Sequence, residues 1–165
     1  MLFRTALIIA SLVAFSCGAL AQGRVPIITL RRTACLGTCP VYSLEFFEDG
    51  FIRYIGTEFV QSTGERRTVI PRDAVENLVA LFLKANYLAM RDSYDNCKAP
   101  DGSIVCLTDL PTTFSSLRFQ ARQKSVRDYM CAPKRLRELE DELDRVANTQ
   151  RWIGNDLLNV PAPKL

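Results

Sequence analysis

Tyr42-Ser43-Leu44-Glu45-Phe46-Phe47-Glu48-Asp49-Gly50-Phe51-Ile52-Arg53-Tyr54-Ile55 alternates apolar and polar side chains on both sides of a Glu-Asp-Gly turn signal. Alternation of period two is the mark of a half-buried strand, and two such runs around Asp-Gly mark a β-hairpin. Two registers compete. A two-residue Asp-Gly loop would set Phe46 against Arg53 and Leu44 against Ile55. A three-residue loop, with Gly50 left-handed in a bulge, sets Phe46 against Ile52, Leu44 against Tyr54 and Glu45 against Arg53. The second register joins apolar to apolar and acid to base, so it is the one expected. Tyr42, Leu44, Phe46, Ile52 and Tyr54 then form the core face. Phe47 and Phe51 meet near the loop on the outer face.

Working outward, Ile27-Ile28-Thr29-Leu30 reads as a strand that ends at Arg31 and Arg32. The turn Cys35-Leu36-Gly37-Thr38-Cys39 follows, and Pro40, which cannot donate to a ladder, sits just before the next strand. On the other side, Gln61 to Glu65 is a polar loop and Arg66 to Ile70 a further strand. Pro71 suits the first turn of a helix and Asp73 its positive end. Val75, Leu78, Val79 and Phe82 recur at helical spacing, and Leu81 and Leu83 widen that stripe into a deeply buried helix ending near Ala85 to Tyr87.

Asp92 to Pro111 reads as a loop of about twenty residues, a length often tied to function. Its acids Asp92, Asp95, Asp101 and Asp109 match no EF-hand spacing, so solvated loop acids are favoured over a calcium site. Phe114 to Phe119 and Lys124 to Tyr129 form a second hairpin around Gln120 to Gln123. Pro133 opens a second helix with Leu136, Leu139, Leu143 and Val146 on one face. Lys134–Glu138, Arg137–Asp141 and Asp141–Arg145 are spaced as solvent-side ion pairs. Trp152 and Ile153 fold back onto the core, and Gly154 ends the domain. The expected fold is α+β: a mostly antiparallel sheet of about five to six strands with two amphipathic helices on one face.

The chain has 165 residues, 48% of them hydrophobic, enough for one domain with a core. Its net charge of +3 is too small and too dispersed for nucleic acid as a partner. There is no histidine, which excludes Ser-His-Asp and Cys-His nucleophiles and imidazole–zinc sites. Residues 1–21 read as a signal peptide: Arg4 supplies the positive start, Ala6 to Phe15 the apolar run, and Ala19-Leu20-Ala21 the cleavage pattern. Lipid attachment at Cys17 is disfavoured by Phe15. Residues 22–154 form the single domain, 155–165 a flexible tail, and no stretch after cleavage has membrane-spanning length. Export to the periplasm or beyond places the cysteines in an oxidising compartment.

Five cysteines follow Ala21, an odd number. The favoured bridges are Cys97–Cys106, stapling the loop between them, and Cys35–Cys39 across Gly37-Thr38, which leaves Cys131 as the free thiol. A bridge from Cys35 or Cys39 to Cys131 is the alternative. Cys35 and Cys39 have three residues between them and precede a strand, unlike a thioredoxin-type pair, so a structural staple is favoured over redox work. Arg127, Lys134, Arg135 and Arg137 form a candidate anion site at the second helix start, weighed against a solvated face neutralised by neighbouring acids. No metal site and no cofactor is indicated.

Cys35-Leu36-Gly37-Thr38-Cys39-Pro40-Val41-Tyr42, the Asp49-Gly50 hairpin, Thr108-Asp109-Leu110-Pro111-Thr112, Tyr129 with Ala132-Pro133, and Arg151-Trp152-Ile153-Gly154 resemble a bacterial family of exported proteins, domain-of-unknown-function family 6438. The resemblance covers about Ile27 to Gly154. It implies export and a shared fold, and carries no catalytic residues. Members often have a small residue or histidine near Met130, so a histidine-dependent role is absent here. The expected function is that of a non-enzymatic exported envelope domain binding a protein or other ligand. The alternative is a thiol-based redox enzyme or sensor using Cys131 or Cys35/Cys39.

Overall fold

The computed structural model describes residues 24–154. The expected signal peptide with Cys17 and the expected tail 155–165 lie outside them. Nine strands form: β1 (Ile28–Arg32), β2 (Val41–Phe46), β3 (Phe51–Glu58), β4 (Gly64–Val69), β5 (Ser93–Tyr94), β6 (Cys97–Lys98), β7 (Ile104–Val105), β8 (Thr113–Phe119) and β9 (Arg122–Asp128). The helices are α1 (Arg72–Lys84), α2 (Lys134–Ala147) and the short α3 (Gln150–Ile153), with a 3₁₀ turn at Tyr87–Ala89. Seven strands make one sheet in the order β4-β3-β2-β1-β8-β9-β5, and β6 and β7 form a separate ribbon. The α+β reading holds with one strand more than expected, because the 92–111 loop adds β5, parallel to β9, to the sheet edge and folds the rest of itself around the ribbon.

The first hairpin has the expected three-residue loop and register: Leu44 faces Tyr54, Glu45 faces Arg53 and Phe46 faces Ile52. Tyr42, Leu44, Phe46, Ile52 and Tyr54 are all buried, and the Phe47 and Phe51 rings meet at 5.4 Å. The second hairpin closes more tightly than expected, through Gln120 in a left-handed conformation.

β1 is the hub, paired antiparallel with β2 on one side and β8 on the other. Its pleat sends Ile28, Leu30 and Arg32 to the helix-covered face. Ile28 lies between Phe46 and Leu117, Leu30 between Leu44 and Ser115, and Arg32 between Tyr42 and Thr113. Apolar rows therefore give way to a polar row at the end where the cysteines lie. The strand ends at Arg32, as expected, and Arg31 and Arg32 are both laddered to β2 and β8.

Both helices cover this one face. Leu78 and Phe82 of α1 and Leu136, Leu139 and Leu143 of α2 join the same core. Trp152 packs on Tyr54 with ring centroids 4.7 Å apart, and Ile153 is buried. Leu81 and Leu83 do not extend the buried stripe; they are 39% and 37% exposed. Leu83 instead lines a groove of about 500 Å³ with Ile27, Val79 and Phe119.

Gly50 ties the first hairpin to α1. Its φ is +88°, and its carbonyl accepts the Ile70 amide at 2.9 Å just before the helix. A Cβ there would lie 2.1 Å from the Ile70 carbonyl oxygen, whereas at Gly64, also left-handed, it would meet nothing within 4 Å. Gly50→Ala is expected to cost about 3 kcal/mol in urea unfolding. Gly64→Ala is expected to cost only about 1 kcal/mol, the conformational part alone.

Candidate functional site

The polar row sits at the cysteine end of the sheet, across four strands: Tyr42, Arg32, Thr113 and Asp128 are successive cross-strand neighbours. Helix α2 lies over it. Arg32 donates through Nη2 and Nε to Oδ2 of Asp144, at 2.7 and 3.0 Å, and through Nη1 to the Thr113 hydroxyl at 3.3 Å. The other Asp144 oxygen accepts from the Tyr42 hydroxyl at 2.8 Å and the Thr149 hydroxyl at 3.1 Å. Four donors thus converge on one carboxylate, of which 15% is exposed. Burial, then the Asp144 charge, pushes the Tyr42 hydroxyl well above its ordinary range, so it remains a donor.

One helical turn back, Glu140 is 2% exposed. Its Oε1 accepts from the Ser115 hydroxyl at 2.9 Å, which in turn accepts from the Tyr87 hydroxyl at 3.1 Å. Burial first, and the nearby Asp128 charge second, push the Glu140 carboxyl up from 4.5 to about 8, against the opposing effects of Ser115 and Arg32. Glu140 is therefore a neutral acid at pH 7. The sequence reading missed it, although it falls on the buried stripe of α2 with Leu136, Leu143 and Ala147. An acid at a core position of a helical stripe was the available signal.

The loops in front of this row are pinned. Cys35 and Cys39 are disulfide-bonded with Cα atoms 5.7 Å apart. The turn they close is bound to the 107–112 segment: the Leu36 amide donates to the Asp109 carbonyl, and the Thr33 amide to the Thr112 carbonyl, each at 3.0 Å. The Thr112 amide returns a bond to the Thr33 hydroxyl, also at 3.0 Å. The Tyr129 hydroxyl holds the same segment by donating to the Leu107 carbonyl at 2.8 Å. Leu36 stands out from this frame with 83% of its surface exposed.

Cys97 is bonded to Cys131, with Cα atoms 5.4 Å apart, and among the described residues Cys106 is the free thiol, and it is exposed. This corrects the expected Cys97–Cys106 bridge and the expected free Cys131. The ribbon register explains the difference. Cys97 is paired with Val105, so Cys106 lies one residue out of step and its side chain is turned to the other side. Cys131 is carried to Cys97 by β5 and β9, where the Tyr129 and Met130 amides both donate to the Tyr94 carbonyl at 3.0 Å.

The structure does not gather the candidate anion site. Arg127 is paired with Phe114 and so lies on the sheet face away from the helices, in an ion pair with Asp95 and with its guanidinium 5.4 Å from the Tyr129 ring centroid. Lys134 pairs with Glu138 at 2.8 Å, as its spacing suggested. Asp141 turns to Arg32 and Arg145 to Glu142 instead of to each other. Arg137 lies near Asp128, whose carboxyl is raised chiefly by burial and lowered in part by Arg137. Asp92, Asp95 and Asp101 of the long loop do not converge either: Asp92 pairs with Lys124, Asp95 with Arg127, and Asp101 caps Ser103 within its own turn. Among the described residues, no helix is long and apolar enough to cross a membrane.

A family model described as "Domain of unknown function (DUF6438)" matches residues 26–147, from the first strand of the sheet to the end of α2. No curated protein matches the chain.

Two outcomes follow from the polar row. Between pH 4.5 and about 8 the folded chain holds a proton on Glu140 that the unfolded chain has released. Stability must then fall as pH rises through that window, by at most about 1.4 kcal/mol per pH unit. Asp128 acts in the same direction at the acidic end. Urea midpoints measured across the window are expected to decline for the natural chain and to flatten in Glu140→Gln. Asp144→Ala leaves Arg32 only the exposed Asp141 as a charged partner and removes the acceptor of Tyr42 and Thr149, and is expected to cost about 3 kcal/mol, whereas Glu76→Ala, on the exposed Arg72 pair, stays within about 0.5 kcal/mol.

Proposed function

The chain belongs to the DUF6438 family of domains of unknown function, and we propose that it is a non-enzymatic exported domain that binds a protein partner through the loops at the cysteine end of its sheet. The observation that carries this reading is Leu36. It is a large apolar side chain, 83% exposed, held at the tip of a turn closed by Cys35–Cys39 and hydrogen-bonded to a second loop. Val69 and Ile104 are exposed as well, but on an edge strand and on the small ribbon. The backbone beneath Leu36 is fixed at both ends, so ordering the loop on association costs little. Burying such a side chain against a partner contributes about 2 kcal/mol.

Export is supported by the signal-like residues 1–21 and by two disulfides, which persist in the periplasm or outside the cell. A binding role is favoured over catalysis by the engagement of the polar row. Asp144 is saturated by donors from Arg32, Tyr42 and Thr149, and Glu140 is shut beneath α2. These groups hold the platform on which the loops stand.

Crosslinking capture from envelope extract, with the intact mature chain as bait, tests the reading. A discrete protein captured by the natural chain, and captured at least about tenfold less by Leu36→Asp, is the expected result. The melting temperature of Leu36→Asp must match that of the natural chain. Equal capture by both chains, or no specific capture by either, overturns the reading.

A further inference from the structure

We infer that Cys97, Cys106 and Cys131 form a thiol–disulfide exchange site, in which Cys97 passes between Cys131 and Cys106. The inference is independent of Leu36 and of any partner.

Three positions bring the sulfurs into one neighbourhood. Cys97 is bonded to Cys131. Val105, the residue before Cys106, is the ladder partner of Cys97. Leu107, the residue after it, donates its amide to Met130 Sδ at 3.5 Å, and Met130 precedes Cys131. The free thiol is thus flanked in sequence by contacts to both sides of the bridge, and it is exposed.

What separates Cys106 from Cys97 is one residue of register. Register is firmly specified only where one face of a ladder is buried. The β6–β7 ribbon has two residue pairs, Cys97 with Val105 and Lys98 with Ile104, and is not hydrogen-bonded into the main sheet. Lys98 is exposed and Ile104 is 64% exposed. No buried side chain is uncovered when β7 slips by one residue; the slip gives up the Leu107 contacts to Met130 Sδ and to the Tyr129 hydroxyl. The slip sets Cys106 opposite Cys97, at the separation of about 5.5 Å that antiparallel partners have and disulfides require. The Asp101–Ser103 bonds can remain while the connecting loop lengthens by one residue, at the loss of the bond from the Ala99 amide to the Ser103 carbonyl.

The step needs no outside oxidant or reductant. Cys106, as its thiolate, attacks Cys97 Sγ. The Cys97–Cys106 bond forms as the Cys97–Cys131 bond breaks, and the electron pair leaves on Cys131 Sγ. Cys131 takes up a proton in place of the one that Cys106 gave up. One disulfide and one thiol stand on each side. The thiol has moved from the ribbon to the loop before α2, at a residue that is itself exposed.

The test uses the intact mature chain purified without reductant and held near pH 8, where attacking thiolate is more abundant than near pH 6. Portions are alkylated at intervals, digested and mapped by mass. The expected result is both Cys97–Cys131 and Cys97–Cys106 bridged peptides, with the alkyl label divided between Cys106 and Cys131 and appearing at Cys131 faster at the higher pH. A label confined to Cys106 with only the Cys97–Cys131 bridge overturns the inference. Label on Cys35 or Cys39 as well marks general scrambling of an unfolded chain and also overturns it. As a second variant, Cys131→Ser made in an oxidising compartment is expected to carry the Cys97–Cys106 bridge. Two free thiols in that variant, with a cooperative thermal transition, contradict the exchange; if the variant does not fold, the label map of the natural chain decides.

Discussion

Arg32 ends the central strand of the sheet, and its guanidinium is held by Asp144 of α2 in a two-point contact. Much of the architecture hangs on this pair. β1 carries β2 on one side and β8 on the other, so whatever fixes α2 to β1 fixes it to both halves of the sheet. The pair is only partly buried, with 26% of the arginine and 15% of the aspartate side chain exposed. Removing two charges from water costs about as much as their attraction returns. Its contribution is better described as placement. The apolar stripe of α2 would tolerate small shifts along the sheet, whereas a carboxylate with four directed donors tolerates one position.

Glu140 deepens that argument. A carboxyl group at a core position is costly when charged, and here the protein avoids the charge by keeping it protonated, with its carbonyl oxygen satisfied by Ser115. Tyr87, Ser115 and Glu140 form a buried chain from the end of α1, through β8, to α2. The two helices are thereby linked to each other through the sheet by polar contacts as well as apolar ones. One buried hydroxyl stands outside this order: the Tyr54 hydroxyl, wedged against Gly56, has no hydrogen-bond partner among the described residues, while its ring is stacked on Tyr42 and tilted against Trp152.

Most of the sheet was legible because its signals are local. The register of the first hairpin follows from Leu44, Phe46, Ile52 and Tyr54 needing one face and from Glu45 needing Arg53. Local reasoning also put the end of β1 at Arg31 and Arg32, where it falls, but gave no sign that Arg32 faces the core. Adjacent charges look like the end of a strand, and only the acids of α2, about 110 residues away, make Arg32 a core-facing residue. Leu81 and Leu83 failed in the opposite sense: hydrophobicity alone placed them inward, but the stripe of α1 that meets the sheet runs through Val75, Leu78 and Phe82. The cysteine pairing was beyond local reasoning altogether. It turns on whether Val105 or Cys106 faces Cys97, a difference of one residue in a ribbon without a buried face to specify it.

The two ends of the sheet are stabilised by different means, and this accounts for the position of the disulfides. Toward the first hairpin loop the cross-strand rows are Phe46, Ile28 and Leu117, and then Leu44 and Leu30, so burial alone orders the chain there. Toward the other end the row is Tyr42, Arg32, Thr113 and Asp128, whose polar contacts largely repay their own desolvation. Loops emerging from that end have little apolar surface beneath them. Order in the 33–41 and 107–112 segments comes also from the Cys35–Cys39 bridge, from main-chain bonds between the two loops, and from Tyr129. Covalent constraint adds to the order that burial supplies at this end. An exposed leucine on such a frame is held in place without being buried, while a free thiol beside the looser ribbon is left able to react.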